Sequence, residues 1–189
     1  MHPNRKAQRT QVTMIDRLLP DIVIQPDGER RTWRVTARCV LDAPLEQVFP
    51  FFADAGNLEK LTPPWVGFEV LSKGPLDMRQ GLIIDYRIRI HGIPIRWRTE
   101  IATWDPPQRF SDVQLRGPYA LWDHTHSFRA IDASTTEMTD SIRYRPKGWI
   151  LAPLINRMFV ENDIRRIFTY RNEQMNRMFG SAALVSDQS

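Results

Sequence analysis

The chain has 189 residues, of which 42% are hydrophobic and 25% charged, and these proportions are typical of one folded domain. Lysine and arginine outnumber aspartate and glutamate by 26 to 22, but no basic cluster with interleaved aromatic residues indicates a nucleic-acid partner. The single cysteine, Cys39, excludes an internal disulfide framework, and we find neither a secretory signal nor an apolar run of about 18 residues. We therefore expect a soluble, cytoplasmic protein that binds no nucleic acid.

Residues 1–30 are predicted to form a partly flexible arm, because their first 20 residues are mostly polar and basic. The alternation of apolar and polar residues in RTWRVTARCVL, residues 31–41, predicts a half-buried strand. Apolar residues then recur at helical spacing from Leu45 to Phe52, and Pro50 limits this helix to a short or kinked one. The segment NLEKL, before two prolines, predicts a second short helix.

Six strand patterns follow between residues 66 and 146, which predicts a meandering antiparallel sheet with one buried face. From Pro153 to Met178 apolar residues recur about every 3.6 residues, so one long amphipathic helix should follow, with Gly180 just past its end. We assign Arg171 to the polar face of this helix. The predicted fold class is α+β, with a curved seven-stranded antiparallel sheet wrapped around a long C-terminal helix and two short helices after the first strand.

The segment LWDHTHSF, residues 121–128, places two histidines at alternating positions of a predicted strand. Alternating residues of a strand point to the same face, so Trp122, His124, His126 and Phe128 form one row. The other face of the strand is more hydrophilic. The row is therefore predicted to face the interior.

The next predicted strand carries an acidic residue, Asp140, on its apolar face beside Ile142 and Tyr144. One register of the hairpin places His126 directly opposite Asp140. The other register places His126 opposite Ile142 and diagonal to Asp140. A buried carboxylate without a partner is costly, so we expect an imidazole–carboxylate contact in either register.

Several interpretations of this row stay open. His124, His126 and Asp140 could supply three metal ligands, but Met, Trp and Phe surround them, so we expect no metal ion and no organic cofactor. In an enzyme, His126 would be the general base, oriented by Asp140, with Tyr144 or His124 donating to a developing enolate. In a binding protein, the same groups would orient a polar head while aromatic rings hold an apolar body. The row could also be packed and inert.

Other strands contribute further inward residues by the same parity. Strand 109–116 is ambiguous, because either Phe110 and Asp112 or Ser111 and Val113 could face inward. Trp65, in the stiff segment LTPPW, is a candidate lid, with a rigid connector as the alternative. The predicted ligand-binding residues are Trp65, Phe68, Tyr86, Ile88, Trp97, Thr99, Trp122, His124, His126, Asp140, Ile142, Tyr144 and Met158, with His126 and Asp140 catalytic if the protein is an enzyme.

Residues 31–180 resemble the SRPBCC superfamily, whose members have the START-like or helix-grip fold. The segments that carry the resemblance are VFPFFADAGNLEKLTPPWVGFEVL, LIIDYRIRIHGIPIRWRTEI, WDPPQRFSDVQLRGPYALWDHTHSF and MTDSIRY. They are similar to a bacterial subgroup labelled cyclase/dehydrase-like or coenzyme Q-binding-like. The resemblance implies a START-like ligand-binding domain with a deep apolar cavity between the sheet and the long helix, followed by a flexible tail at residues 181–189.

We expect the protein to bind a hydrophobic or polyketide-like small molecule in that cavity. One alternative is a cofactor-independent polyketide cyclase or dehydratase that uses a His–Asp acid–base pair. A second alternative is a lipid or quinone carrier that contacts membranes transiently. Fold alone does not decide among these functions.

Overall fold

The computed structural model describes residues 21–72, 74 and 76–180, and these form an antiparallel sheet around a C-terminal helix. The strands are β1 (Asp21–Pro26), β2 (Trp33–Leu41), β3 (Glu69–Val70), β4 (Ile83–Ile90), β5 (Ile93–Asp105), β6 (Arg109–Arg116), β7 (Tyr119–Ala130) and β8 (Thr136–Pro146), in the spatial order β1-β2-β8-β7-β6-β5-β4-β3. The helices are α1 (Leu45–Phe52), α2 (Leu58–Leu61), α3 (Ala152–Ile155) and α4 (Glu161–Phe179). The predicted flexible segments 1–20 and 181–189 lie outside the described residues.

The predicted helix-grip class is confirmed, with eight strands where seven were expected. The additional strand is β1, which falls within the predicted arm and pairs with β2 along its whole length. Ile22 and Ile24 pack against the buried cluster around Val35, so this segment has an apolar face to cover. Arg165 of α4 also donates to the carbonyl of Ile22 at 2.9 Å, which attaches the strand to the helix.

Strand β3 is much shorter than its sequence pattern predicts. Gly67 has a φ of 53°, a left-handed conformation that turns the chain before the strand begins. After Val70, the amides of Leu71 and Ser72 both donate to the carbonyl of Asp85, which breaks the regular ladder. The strand is therefore limited to two residues at the sheet edge.

The predicted long helix is interrupted by a π-helical turn at Asn156–Val160, which joins α3 to α4. Asn156 is buried, and its side-chain oxygen accepts a hydrogen bond of 2.8 Å from the hydroxyl of Tyr144. Gly180 ends α4 with a φ of 76°, as the sequence predicts. No helix among the described residues is both long enough and apolar enough to cross a bilayer.

The interior is densely packed at the end of the sheet that α1 covers. There the rings of Phe49, Phe52 and Phe128 lie against one another, with centroids 5.2 to 5.4 Å apart. Other buried members of this cluster are Leu41, Val48, Leu61, Phe110, Met138 and Met175. Burial of so many large apolar side chains is the main source of stability in a domain of this size.

Candidate functional site

A cavity of about 780 Å³ lies between the concave face of the sheet and helix α4. Most of its wall is apolar, with Ile84, Ile88 and Ile101 on the sheet side. Aromatic rings form a continuous surface in it: Tyr86 stacks on Trp97 at 5.8 Å, and Trp97 meets Trp122 edge-on at 5.2 Å. Such a wall can hold an apolar molecule of drug-like size.

The row predicted on β7 faces inward. Trp122, His124 and His126 line the cavity, whereas Phe128 packs in the dense cluster beneath α1. In the hairpin His126 lies directly opposite Asp140, so the first of the two registers is confirmed and the diagonal one is wrong. Asp140 therefore lies on β8, the strand next to the one that carries the two imidazoles.

Asp140 is hydrogen-bonded to His124 and Arg171 and is in close contact with His126, whose Nδ1 also lies 3.5 Å from Arg171 Nη2. Its Oδ1 lies 2.6 Å from His126 Nδ1 and 2.9 Å from His124 Nε2, and its Oδ2 lies 3.2 Å from Arg171 Nε. Burial alone would raise the pKa of Asp140, but the charges of Arg171 and His126 outweigh burial and hold this pKa well below 3.8. Asp140 is therefore ionised although only 3% of it is exposed.

Arg171 is the member of this network that the sequence analysis assigns wrongly, since we placed it on the polar face of the helix. It is buried, and its guanidinium also lies over the ring of Phe52 at 5.3 Å. The neighbouring Asn172 is buried as well. A sequence signal for Arg171 existed in principle, because a buried carboxylate such as Asp140 requires a cation.

Asp112 of β6 completes the polar part of the wall. The ambiguous strand turns Phe110 and Asp112 inward, while Gln114 donates instead to the carbonyl of Tyr119 at 2.8 Å. Asp112 Oδ2 lies 3.4 Å from His126 Nε2 and 3.7 Å from His124 Nδ1. We call Asp112, His124 and His126 the polar wall. Thr99 supports it, with its hydroxyl 3.2 Å from Asp112 Oδ1.

The two histidines titrate differently because they share one small space. Their ring centroids are 3.8 Å apart. Burial and the neighbouring charge of His126 lower the pKa of His124. Burial opposes charge on His126 too, but Asp140 and Asp112 outweigh it and raise its pKa. The lowered pKa favours a neutral His124, and the raised pKa favours a positive charge on His126 beside that of Arg171, opposite the two carboxylates.

The structure brings most of the predicted ligand-binding residues to the cavity wall and leaves three elsewhere. On the wall are Trp65, Phe68, Tyr86, Ile88, Trp97, Thr99, Trp122, His124, His126 and Ile142. Asp140 lies behind the imidazoles. Tyr144 is buried with its hydroxyl committed to Asn156, so it is not placed to donate to a ligand. Met158 lies outside the cavity with 57% of it exposed, because the π-helical turn directs it outward.

The cavity mouth lies between the β4–β5 hairpin and the helical segment at Asn156–Arg166. Trp65 is half exposed there, and its ring contacts Tyr170 and the guanidinium of Arg166. His91 Nε2, at the hairpin turn, lies 3.0 Å from Asp163 Oδ2. The mouth is thus framed by the ring of Trp65, the guanidinium of Arg166 and the contact between His91 and Asp163.

A family model described as "Polyketide cyclase / dehydrase and lipid transport" matches residues 41–167. No curated protein matches the chain significantly. Solved structures that resemble it include a protein of Arthrobacter aurescens, with 15% identity, 88% of this chain and 98% of that chain covered, and a TM-score of 0.61. The Zhui aromatase/cyclase of a Streptomyces species shares 17% identity over 78% and 96% of the two chains, with a TM-score of 0.56.

A norcoclaurine synthase variant of Thalictrum flavum is 11% identical over 80% of this chain and 99% of that chain, with a TM-score of 0.56. Identities this low establish a shared fold and no shared activity. The family match covers well over half of the sequence. The chain therefore belongs to the polyketide cyclase/dehydrase and lipid transport family, within the SRPBCC superfamily.

Proposed function

We propose that the protein binds a hydrophobic, polyketide-like small molecule in the cavity and orients an oxygen atom of that molecule against the polar wall. The observation that carries this proposal is a cavity of about 780 Å³ whose apolar lining is interrupted on one side by Asp112, His124 and His126. Ligand sites typically combine a large apolar surface with a few convergent polar groups.

Filling the cavity tests the binding proposal directly. Ile88→Trp places a large ring in the cavity, and Ile83→Trp, its matched control, places the same ring on the exposed face of the same strand. We expect Ile88→Trp to lower the affinity for anilinonaphthalene sulfonate and for hydroxylated polycyclic aromatics by at least about 10-fold. Equal affinities for the two variants, measured by fluorescence titration, would refute the proposal.

Catalysis of cyclisation or dehydration is the second candidate function, and the charge distribution of the polar wall favours it. The raised pKa of His126 favours its protonated form, a proton donor, and the lowered pKa of His124 favours a neutral imidazole beside it as the acceptor. General acid–base catalysis needs such a pair. In this assignment His124 is the base, and His126, which the sequence analysis took as the general base, is the acid together with Asp140.

Dehydration would proceed without a redox change. His124 takes the proton α to a carbonyl, the C–O bond of the β-hydroxyl breaks, and His126 donates a proton to the departing oxygen as water. His126→Ala should then abolish turnover of a poly-β-keto thioester, whereas in a protein that only binds it should change affinity modestly. Absorbance of the aromatic product measures turnover.

Lipid or quinone transport is a further candidate, favoured by an exposed apolar segment beside the cavity mouth. This segment, Ile150–Phe159, carries Ile150, Leu151, Leu154, Met158 and Phe159, all exposed. Leu154→Asp should reduce flotation with anionic phosphatidylglycerol vesicles, and Leu115→Asp, on the outer face of the sheet, is the control. Absence of flotation by the wild-type protein, together with a lipid extract without lipid, would refute transport.

A further inference from the structure

Three potential metal ligands converge at the polar wall. Asp112 Oδ2 lies 3.4 Å from His126 Nε2 and 3.7 Å from His124 Nδ1, and all three atoms lie within 4.8 Å of one another. Both separations exceed the 2.7–2.9 Å that is typical of charge-assisted hydrogen bonds. Two atoms bound to the same ion at roughly 2.0–2.2 Å stand roughly 3–4 Å apart, and both distances from Asp112 to the imidazole nitrogens fall in that range.

The remaining nitrogens of both imidazoles are held by one carboxylate. His126 Nδ1 and His124 Nε2 lie 2.6 and 2.9 Å from Asp140 Oδ1, an acceptor, so each of these nitrogens carries a hydrogen. The raised pKa of His126 favours a second proton on Nε2, and a metal ion that binds there displaces this proton. This arrangement directs His126 Nε2 and His124 Nδ1 toward Asp112. Metal-binding histidines commonly donate their second N–H to a carboxylate in this way, which fixes the ring and the tautomer.

Asp140 is itself held in place. Arg171 Nε lies 3.2 Å from its second oxygen, and neither Asp140 oxygen is part of the cavity wall. Asp140 is therefore placed to orient the ligands rather than to bind the ion. The sequence analysis considered His124, His126 and Asp140 as a ligand set, and the structure replaces Asp140 in that set with Asp112.

We propose that Asp112, His124 and His126 bind one divalent transition-metal ion, with zinc as the first candidate, and leave at least one coordination position open to the cavity. Two imidazoles and one carboxylate form a donor set that suits zinc and other first-row divalent ions. An ion there lies beside the bound molecule and would act as a Lewis acid on its oxygen. This inference goes beyond the proposed function, because the donor set is present whatever occupies the cavity.

Zinc titration of the full-length, chelator-treated protein tests the proposal. We expect one zinc ion per chain with a Kd below about 1 µM by calorimetry. Cobalt should bind at the same stoichiometry and give a visible absorption band of a low-symmetry site. A wild-type protein that binds less than half an equivalent of either ion overturns the proposal.

Isosteric variants locate the ion. Asp112→Asn keeps the shape of a ligand and should weaken zinc binding by at least about 100-fold, and His126→Gln should do the same if Asp112→Asn fails to fold. The matched control is His91→Asn, which removes a histidine paired with Asp163 at the mouth and should change the affinity less than 2-fold. Equal affinities of wild type and both ligand variants place the ion elsewhere and refute the site.

A second titration separates this inference from the proposed function. Anilinonaphthalene sulfonate is added to chelated protein and to zinc-loaded protein. Probe binding without any zinc binding refutes the metal site alone. Zinc binding that is lost in Asp112→Asn, in a protein that binds no apolar probe, supports the metal site and refutes the proposed function.

Discussion

Strand β7 contributes aromatic residues to two ends of one interior, and the two ends differ in how they are filled. Phe128 packs against Phe49 and Phe52 of α1, with ring centroids 5.4 and 5.2 Å away. Trp122, six residues earlier on the same face, meets Trp97 at the wall of an open cavity. Both ends are lined by aromatic side chains of one strand, so we attribute the cavity to the positions of the helices and not to residue type.

The charged network lies at the boundary between these two ends. His126 stacks on Phe110, a member of the dense cluster, at 4.3 Å, and His124 lies 6.2 Å from Phe168 on the opposite side. The buried charges of this network therefore contact the close-packed cluster on one side and the cavity on the other. Ionised groups in such a position keep strong electrostatic contacts yet remain accessible to a ligand.

The largest expected effect comes from removing a ring at the dense end. Phe128→Ala should lower the free energy of unfolding by about 3–5 kcal/mol, because it leaves an empty space among close-packed rings. Trp122→Ala, on the same strand, should cost less, since one side of Trp122 already faces the cavity. Urea denaturation of both variants measures the difference, and the reverse order would contradict the comparison.

Breaking the charged network is expected to cost nearly as much. Arg171→Met leaves the buried carboxylate of Asp140 without its arginine, and the free energy of unfolding should fall by about 3 kcal/mol. In an Asp140→Asn background the same substitution should cost much less, since no charge is left uncompensated. A double-mutant cycle in urea measures this coupling, and additive effects would show that the pair is not coupled.

Enlarging one residue at each end sharpens the comparison further. Val48→Phe adds atoms to the dense cluster and should cost about 1–3 kcal/mol, whereas Ile88→Phe grows into the cavity and should cost less than about 1 kcal/mol. Thermal unfolding followed by circular dichroism distinguishes them. Equal losses of stability in the two variants would mean that the cavity closes in solution.

The smallest change in stability is expected from Asp27, whose arginine partners Arg34 and Arg143 lie on the outer face of the sheet. Hydrogen bonds from Arg143 and Arg34, at 2.6 and 2.8 Å, lower the pKa of Asp27. A lowered pKa adds stability above the unfolded value of about 4, and this stability is lost as the pH falls through the folded value. Asp27→Asn should therefore lower the melting temperature by about 1–3 °C at pH 7, with the gap closing below pH ~4.

The exposed Asp105→Asn is the control for that experiment, because its pair with Arg109 lies on the surface of a hairpin. It should leave the melting temperature nearly unchanged at both pH values. A difference in melting temperature between Asp27→Asn and wild type that stays constant from pH 7 to pH 3 would show that the carboxylate charge of Asp27 does not contribute to stability.

The parts of the site that follow a two-residue period could be predicted from the sequence. Trp122, His124 and His126 fall on the inward face, and Asp140 contacts the imidazoles, as alternation and the cost of a lone buried carboxylate predict. The choice between the two registers came from the structure alone. Strand β6 was ambiguous, because each of its faces mixes polar and apolar residues. Asp112 therefore became a site residue only through the pairing of β6 with its neighbours.

Helical periodicity failed where the helix is irregular. A regular 3.6-residue repeat from Pro153 places Met158 on the inner stripe, and this assignment is wrong. Arg171 was misassigned for another reason: it shares the helical spacing of Ile164 and Met175, which are buried, and we placed it on the polar face because it is charged. Met158 lies in a π-helical turn, which shifts the phase of the repeat, and no local sequence pattern at Asn156–Val160 predicts that turn. Tyr144 was misassigned for a related reason, since its partner Asn156 lies within that turn.

The π-helical turn also couples the two ends of the C-terminal helical segment. Each residue of an α-helix advances the direction of the next by about 100°. A π-helical turn holds one residue more than an α-helical turn, so deleting one residue from Asn156–Val160 would restore uniform winding and leave α4 pointing in nearly the same direction. Deleting one residue between Glu161 and Arg171 would instead rotate Arg171 away from Asp140 by that angle and leave the Tyr144–Asn156 contact in place. The extra residue of the π-helical turn therefore gives Asn156 and Arg171 the relative orientation that the two contacts require.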